Sequence, residues 1–304
     1  MQAIRRADRF HQAVRIVCVL LSLVICAGTS DYLVRAEEVV QEPSKAPTFW
    51  SSLTPYALPH DGFPLETEHF AIYSNTATER KKEFVGEQAE WALSEIMSIL
   101  RLETTDAFTY LTSRPVIEIL LVEEAWPAWG GYAYYGGFLL SPIACNPYYC
   151  NERTIKHELM HVVGYLLSGP ASALGMIVDV WFDEGLAEYV AGTREIHTLP
   201  AYTHRQSQLA EVMAESNPVS VHKWENLSAS AASALGVYAY ELFELAVRYL
   251  FDEDGLAAPI EAATDLYIDL RDGYSFAEAF ERQFGIALAD YEAQFHERMQ
   301  DYLP

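Results

Sequence analysis

The residues best able to do chemistry in this sequence are His157-Glu158-Leu159-Met160-His161, an HExxH run. On an α-helix two histidines four apart share one face, one turn apart along the axis. Their neutral imidazoles can then bind one Zn2+ together. Glu158 projects near the same point and can accept a proton from a water there. With nine His and 43 acids in 304 residues, the pattern is expected by chance only roughly 0.04 times, which favours a site over two solvated histidines.

A hydrolytic zinc site needs a third protein ligand and one open position. Gly164 suits the longer HExxHxxGxxH pattern, but position 167 is Leu, so the third ligand comes from elsewhere. The candidates are Glu184 and Glu188, within Trp181-Phe-Asp-Glu-Gly-Leu-Ala-Glu-Tyr189. They stand four apart, on one helical face. One carboxylate can reach the metal while the other accepts the second N–H of a ligating imidazole, and spacing leaves open which does which. Their apolar neighbours Trp181, Phe182, Leu186 and Val190 argue against a fully solvated acid pair. A hydrolase also needs a donor for a developing oxyanion; Tyr240 is the first candidate, followed by Tyr238, His222 and His204.

These residues need elements to hold them. Ile155, Leu159, Val162 and Leu166 form an apolar face opposite the histidines, Asn151 suits an N-cap, and Gly169-Pro170 suits a stop. Upstream, Glu68–Tyr73 and Val116–Glu123 read as strands. Between them Ala77–Leu102 reads as a helix, with Val85, Ala89, Ala92, Ile96 and Leu100 as its apolar stripe. Segment 136–140 (Gly136, Gly137, Phe138, Leu139, Leu140) is expected to be an exposed edge strand that pairs with an extended substrate. Its glycines would let another backbone approach, and an ordinary hairpin strand is the alternative. After Asn151 the pattern is mainly helical. The expected fold is α+β: a small β-rich lobe over 65–150, then a helical lobe over 151–304 carrying the zinc site.

Composition narrows the partners. Hydrophobic residues at 51% and charged residues at 21% describe a globular chain. A net charge of −23 offers no basic footprint, so nucleic acid is excluded as a partner. Residues 1–36 read as an export signal: Arg5, Arg6, Arg9 and Arg15 precede an apolar run, Ile16–Ala27, too short to span a bilayer. Val34 and Ala36 suit a cleavage site, so the mature chain would begin at Glu37 and sit in the periplasm or outside the cell without a membrane attachment. An uncleaved N-terminal anchor is the rival reading. Residues 37–64, with five prolines, read as a linker or extended arm. Cys18 and Cys26 would leave with the signal. Cys145 and Cys150 remain, an isolated close pair that in an oxidising compartment reads as one disulfide. Two thiolates alone would make an incomplete metal site.

HELMH followed by WFDEGLAEY resembles the gluzincin peptidases, and within them the peptidase MA-like group of exported bacterial proteins. The resemblance covers about residues 66–302, with EHFAIYSN, the following helix and VIEILLV resembling that group's opening. It implies a thermolysin-like architecture in which a β-sheet lobe offers an edge strand to a peptide and the HExxH helix crosses the cleft floor. It further implies Glu184 as third ligand to one Zn2+, Glu188 as the acid that orients His157, and Glu158 as the base in hydrolysis of a peptide or protein substrate. Two departures stand out. Asp183 replaces the Asn that usually precedes the ligand, and no GxMxN run exists, so the expectation is an endopeptidase and not an aminopeptidase. The alternatives are a non-proteolytic zinc-bearing binding or scaffolding module and a hydrolase of a non-peptide amide. The retained Glu158 weighs against the binding module, because a purely structural site needs no base.

Overall fold

Three apolar runs, Phe70–Tyr73 (β2), Ile117–Leu121 (β3) and Gly137–Leu140 (β5), lie parallel at the centre of a five-stranded sheet. Central parallel strands are covered on both faces, which is why they read as near-continuous hydrophobic runs. Leu65–Glu66 (β1) and Gly131–Tyr134 (β4) join antiparallel at the flanks, giving the order β1-β2-β3-β5-β4. This computed structural model describes residues 63–74, 77–103, 117–122, 130–141, 144–146, 149–172, 177–192, 236–253 and 255–300. The chain divides into Met1–Leu58 and Pro59–Pro304, and every described residue belongs to the second unit. The expected signal 1–36 and all of the arm but Phe63 and Pro64 lie outside the described residues.

The sheet corrects the expected edge strand. Residues 137–140 are hydrogen-bonded to β3 on one side and β4 on the other, and all four are buried. Gly136, at φ +89, belongs to the tight turn that folds β4 back onto β5. A Cβ on Gly137 would fall 2.5 Å from the Glu118 carbonyl oxygen, so that glycine admits a neighbouring strand of the sheet and not a substrate. Gly137, Phe138, Leu139 and Leu140 are therefore interior to the sheet, and Gly136 sits in the turn before them. The edges are β1 and β4, and the exposed Tyr132 belongs to β4.

Helix α1 (Glu79–Ile99) connects β2 to the parallel β3, as such pairing requires. Thr78 caps it by accepting from the Lys81 N–H, and Val85, Ala89, Ala92 and Ile96 are buried. A small ribbon follows β5, Cys145–Asn146 (β6) with Tyr149–Cys150 (β7). Cys145 is the register partner of Cys150. The Asn151 N–H donates to the Ala144 carbonyl, so the adjacent pair is the hydrogen-bonded one. The cysteines then occupy a non-hydrogen-bonded pair, where Cα atoms approach to about 4.5 Å, within disulfide reach. Their side chains lie outside the described residues.

Helix α2 (Glu152–Ser168) starts at this ribbon, where the Asn151 side chain accepts from the Arg153 N–H. It packs on β4, β5 and α1, and carries the HExxH run. Helix α3 (Val180–Ala191) lies against α2 and against α4 (Gly236–Phe251). Helix α5 (Glu261–Arg271) covers another side of α2. Helix α6 (Phe276–Phe284) opens with a capping box of Ser275 and Glu278, and α7 (Leu288–Gln300) closes the described chain. Trp181, stacked on Tyr291 at 5.6 Å, anchors the start of α3 in an aromatic cluster with Phe182, Phe276 and Phe280. The architecture is mixed α+β. No helix among the described residues is long and apolar enough to cross a membrane.

Candidate metal centre

One helical turn brings His157 and His161 together, and α3 crosses in front of them with Glu184. The two Nε2 atoms are 3.2 Å apart. Glu184 Oε2 lies 3.3 Å from each. These three donors form a near-equilateral triangle. Ligand atoms on a tetrahedral ion with bonds of 2.0–2.1 Å stand about 3.3–3.4 Å apart, so the triangle fits one face of such a coordination sphere. His157, His161 and Glu184 are the one group of three that could hold a metal ion among the described residues. Two imidazole nitrogens and one carboxylate oxygen suit zinc and other first-row divalent cations alike. The side chains open outward in order, His161 at 5% exposed, His157 at 12% and Glu184 at 23%.

Charge around the triangle favours a cation. Burial opposes ionisation of Glu184, but the two imidazoles outweigh it and hold its pKa well below the usual carboxylate range. Burial likewise opposes a charged His161, yet Asp183 and Glu184 outweigh it and raise its pKa well above the ordinary value. Each far nitrogen faces a carboxylate. His157 Nδ1 is 3.2 Å from Glu188 Oε1, and Arg153 pairs with the other oxygen of Glu188. The Arg153 Nε–H also donates to the Gly192 carbonyl at the end of α3. His161 Nδ1 is 2.9 Å from Asp183 Oδ2. A carboxylate on the outer nitrogen fixes the tautomer and leaves Nε2 free to ligate.

Glu158, the next residue on α2, lies against Gly131 of the edge strand β4 and is buried, close enough to His157, His161 and Glu184 to feel their charges. Burial raises its pKa, with His157 and His161 pulling the other way. The Ala133 N–H of β4 donates to its carboxylate. This contact depends on Gly131, where a Cβ would sit 2.6 Å from Glu158 Cγ. The backbone approach expected of Gly136-Gly137 is thus made by Gly131, one strand earlier, against the acid itself.

Residues 157, 158, 161, 184 and 188 converge on one place. Tyr238 and Tyr240 belong to α4, but their side chains lie outside the described residues, as do His204 and His222 entirely. In the sequence Asp183 is visible only as a departure from a pattern, and nothing there singles out Arg153 or Tyr267. Tyr165 had a signal, its i, i+4, i+8 spacing with the histidines; Tyr267, 84 residues beyond Asp183, had none. No protein-family model matches the chain, and no curated protein does.

Proposed function

We propose that the chain is a zinc-dependent endopeptidase of the peptidase MA-like, thermolysin-like kind, exported from the cell. The observation that carries this reading is the 3.2–3.3 Å triangle of His157, His161 and Glu184 with a buried carboxylate, Glu158, on the next position of the same helix. A zinc ion held by that triangle would supply Lewis acidity toward a carbonyl oxygen and acidify a water. Glu158 accepts the proton of the attacking water and returns it to the leaving nitrogen, which a peptide bond requires. The raised pKa of Glu158 suits both halves of that transfer. The Ala133 N–H orients the carboxylate. An extended substrate pairs with the outer edge of β4, which no other described strand covers. Export rests on the arginine-led apolar run in residues 1–36.

The test is Glu158→Gln, an isosteric change that removes the base and leaves the ligands. Cleavage of an unstructured protein should fall by about 10²-fold or more, with the metal content unchanged. Near-normal turnover in this variant would contradict the assignment of the base. An unaltered chain that binds zinc but cleaves nothing would point instead to the binding or scaffolding module.

A further inference from the structure

Asp183 is gripped from two directions. Tyr165, one turn beyond His161 on α2, stacks on the His161 ring with centroids 6.0 Å apart and planes 18° from parallel. Its hydroxyl donates to Asp183 Oδ2 at 3.2 Å. Tyr267, buried on α5, donates to Oδ1 at 2.9 Å. Both oxygens of the carboxylate are therefore held while Oδ2 meets His161 Nδ1. Tyr267 gets there over Gly164, where a Cβ would fall 2.8 Å from its Cζ and 3.0 Å from its hydroxyl oxygen. Glycine weakens a helix interior, so its presence in the middle of α2 calls for a packing reason, and this passage is one.

We propose that Tyr165 and Tyr267 are positioning residues for the metal centre, acting through Asp183 on His161. The inference rests on the metal-site reading above. Three donors converge on Asp183: the imidazole N–H and two hydroxyls. A carboxylate has about four lone-pair sites and can accept all three. An asparagine has one accepting oxygen, and its NH2 in the place of Oδ1 would force the Tyr267 hydroxyl to change from donor to acceptor. Fixing Asp183 fixes the Nδ1–H tautomer and the ring angle of His161, and with them the direction of Nε2.

The experiment measures zinc affinity with a competing chelator dye, and the visible spectrum of the Co2+-loaded protein. It uses the full chain and the variants Tyr165→Phe, Tyr267→Phe, the double variant, Asp183→Asn, and the triple variant. Each tyrosine change removes one hydroxyl and keeps the ring; Tyr165 is the less buried, so it guards against a folding failure at Tyr267. The double variant and Asp183→Asn should each lose about 10- to 100-fold in zinc affinity and shift the Co2+ bands. In the Asp183→Asn background the tyrosine changes should cost nothing further, because the route runs through Asp183. A purely structural role would lower thermal stability but leave the Co2+ spectrum and affinity in place, and that result overturns the proposal. If the unaltered chain takes up no metal, the metal-site reading itself falls and this proposal falls with it.

Discussion

Glu184 and Glu188 are the same side chain one helical turn apart, and only their surroundings separate them. Glu184 Oε2 stands 3.3 Å from two Nε2 atoms, whereas Glu188 meets the outer nitrogen of His157 and the Arg153 guanidinium. Glu184→Ala should abolish measurable zinc binding, since it removes one of three ligands. Glu188→Ala should keep an occupied but weaker site, with affinity down about 10- to 100-fold. Metal titration of the two variants checks this, and the reverse order would exchange their roles. At this scale the sequence was informative where spacing alone sets geometry. The i, i+4 pairs His157/His161 and Glu184/Glu188 follow from helix pitch. It was silent where a partner comes from another element: Asp183 carried no sign that Tyr267 would reach it, because nothing local links positions 183 and 267.

The elements meet at glycines. A Cβ on Gly185 would fall 2.4 Å from the Phe243 carbonyl oxygen, so the backbone of α4 lies directly against Gly185 of α3, beside Glu184. By helix propensity alone Gly185→Ala should stabilise α3 by about 1 kcal/mol. The clash is with backbone, which cannot rotate away, and overpacking of this kind costs about 1–3 kcal/mol or more. We expect a net loss of about 1–2 kcal/mol, seen as a fall in Tm of about 2–8 °C. A rise in Tm would show that α4 yields. The strands β2 and β3 and helices α1 and α2 were legible from periodicity and caps, to within a few residues. The mistaken edge has a physical reason. A continuous apolar run such as Gly137–Leu140 is the mark of a strand covered on both sides. The Gly-Tyr-Ala-Tyr of β4, with its mixed polarity and exposed Tyr132, is the better edge.

The described residues form a sheet whose β4 edge is laid against α2, with further helices closing round that helix from the other sides. This order, strands first and helices after, was readable from the sequence and gives the α+β class. What was not readable was which strand lies over the site, since that depends on a turn at Gly136 and a pairing order that sequence proximity does not dictate. The central claim is that a metal in the triangle and Glu158 beside it together hydrolyse peptide bonds. It is tested most directly by stripping the purified chain with a chelator, restoring zinc stepwise, and following cleavage of an unstructured protein. Cleavage should disappear on stripping and return with one equivalent of zinc per chain. Cleavage that persists at its original rate in the stripped, metal-free protein would contradict it.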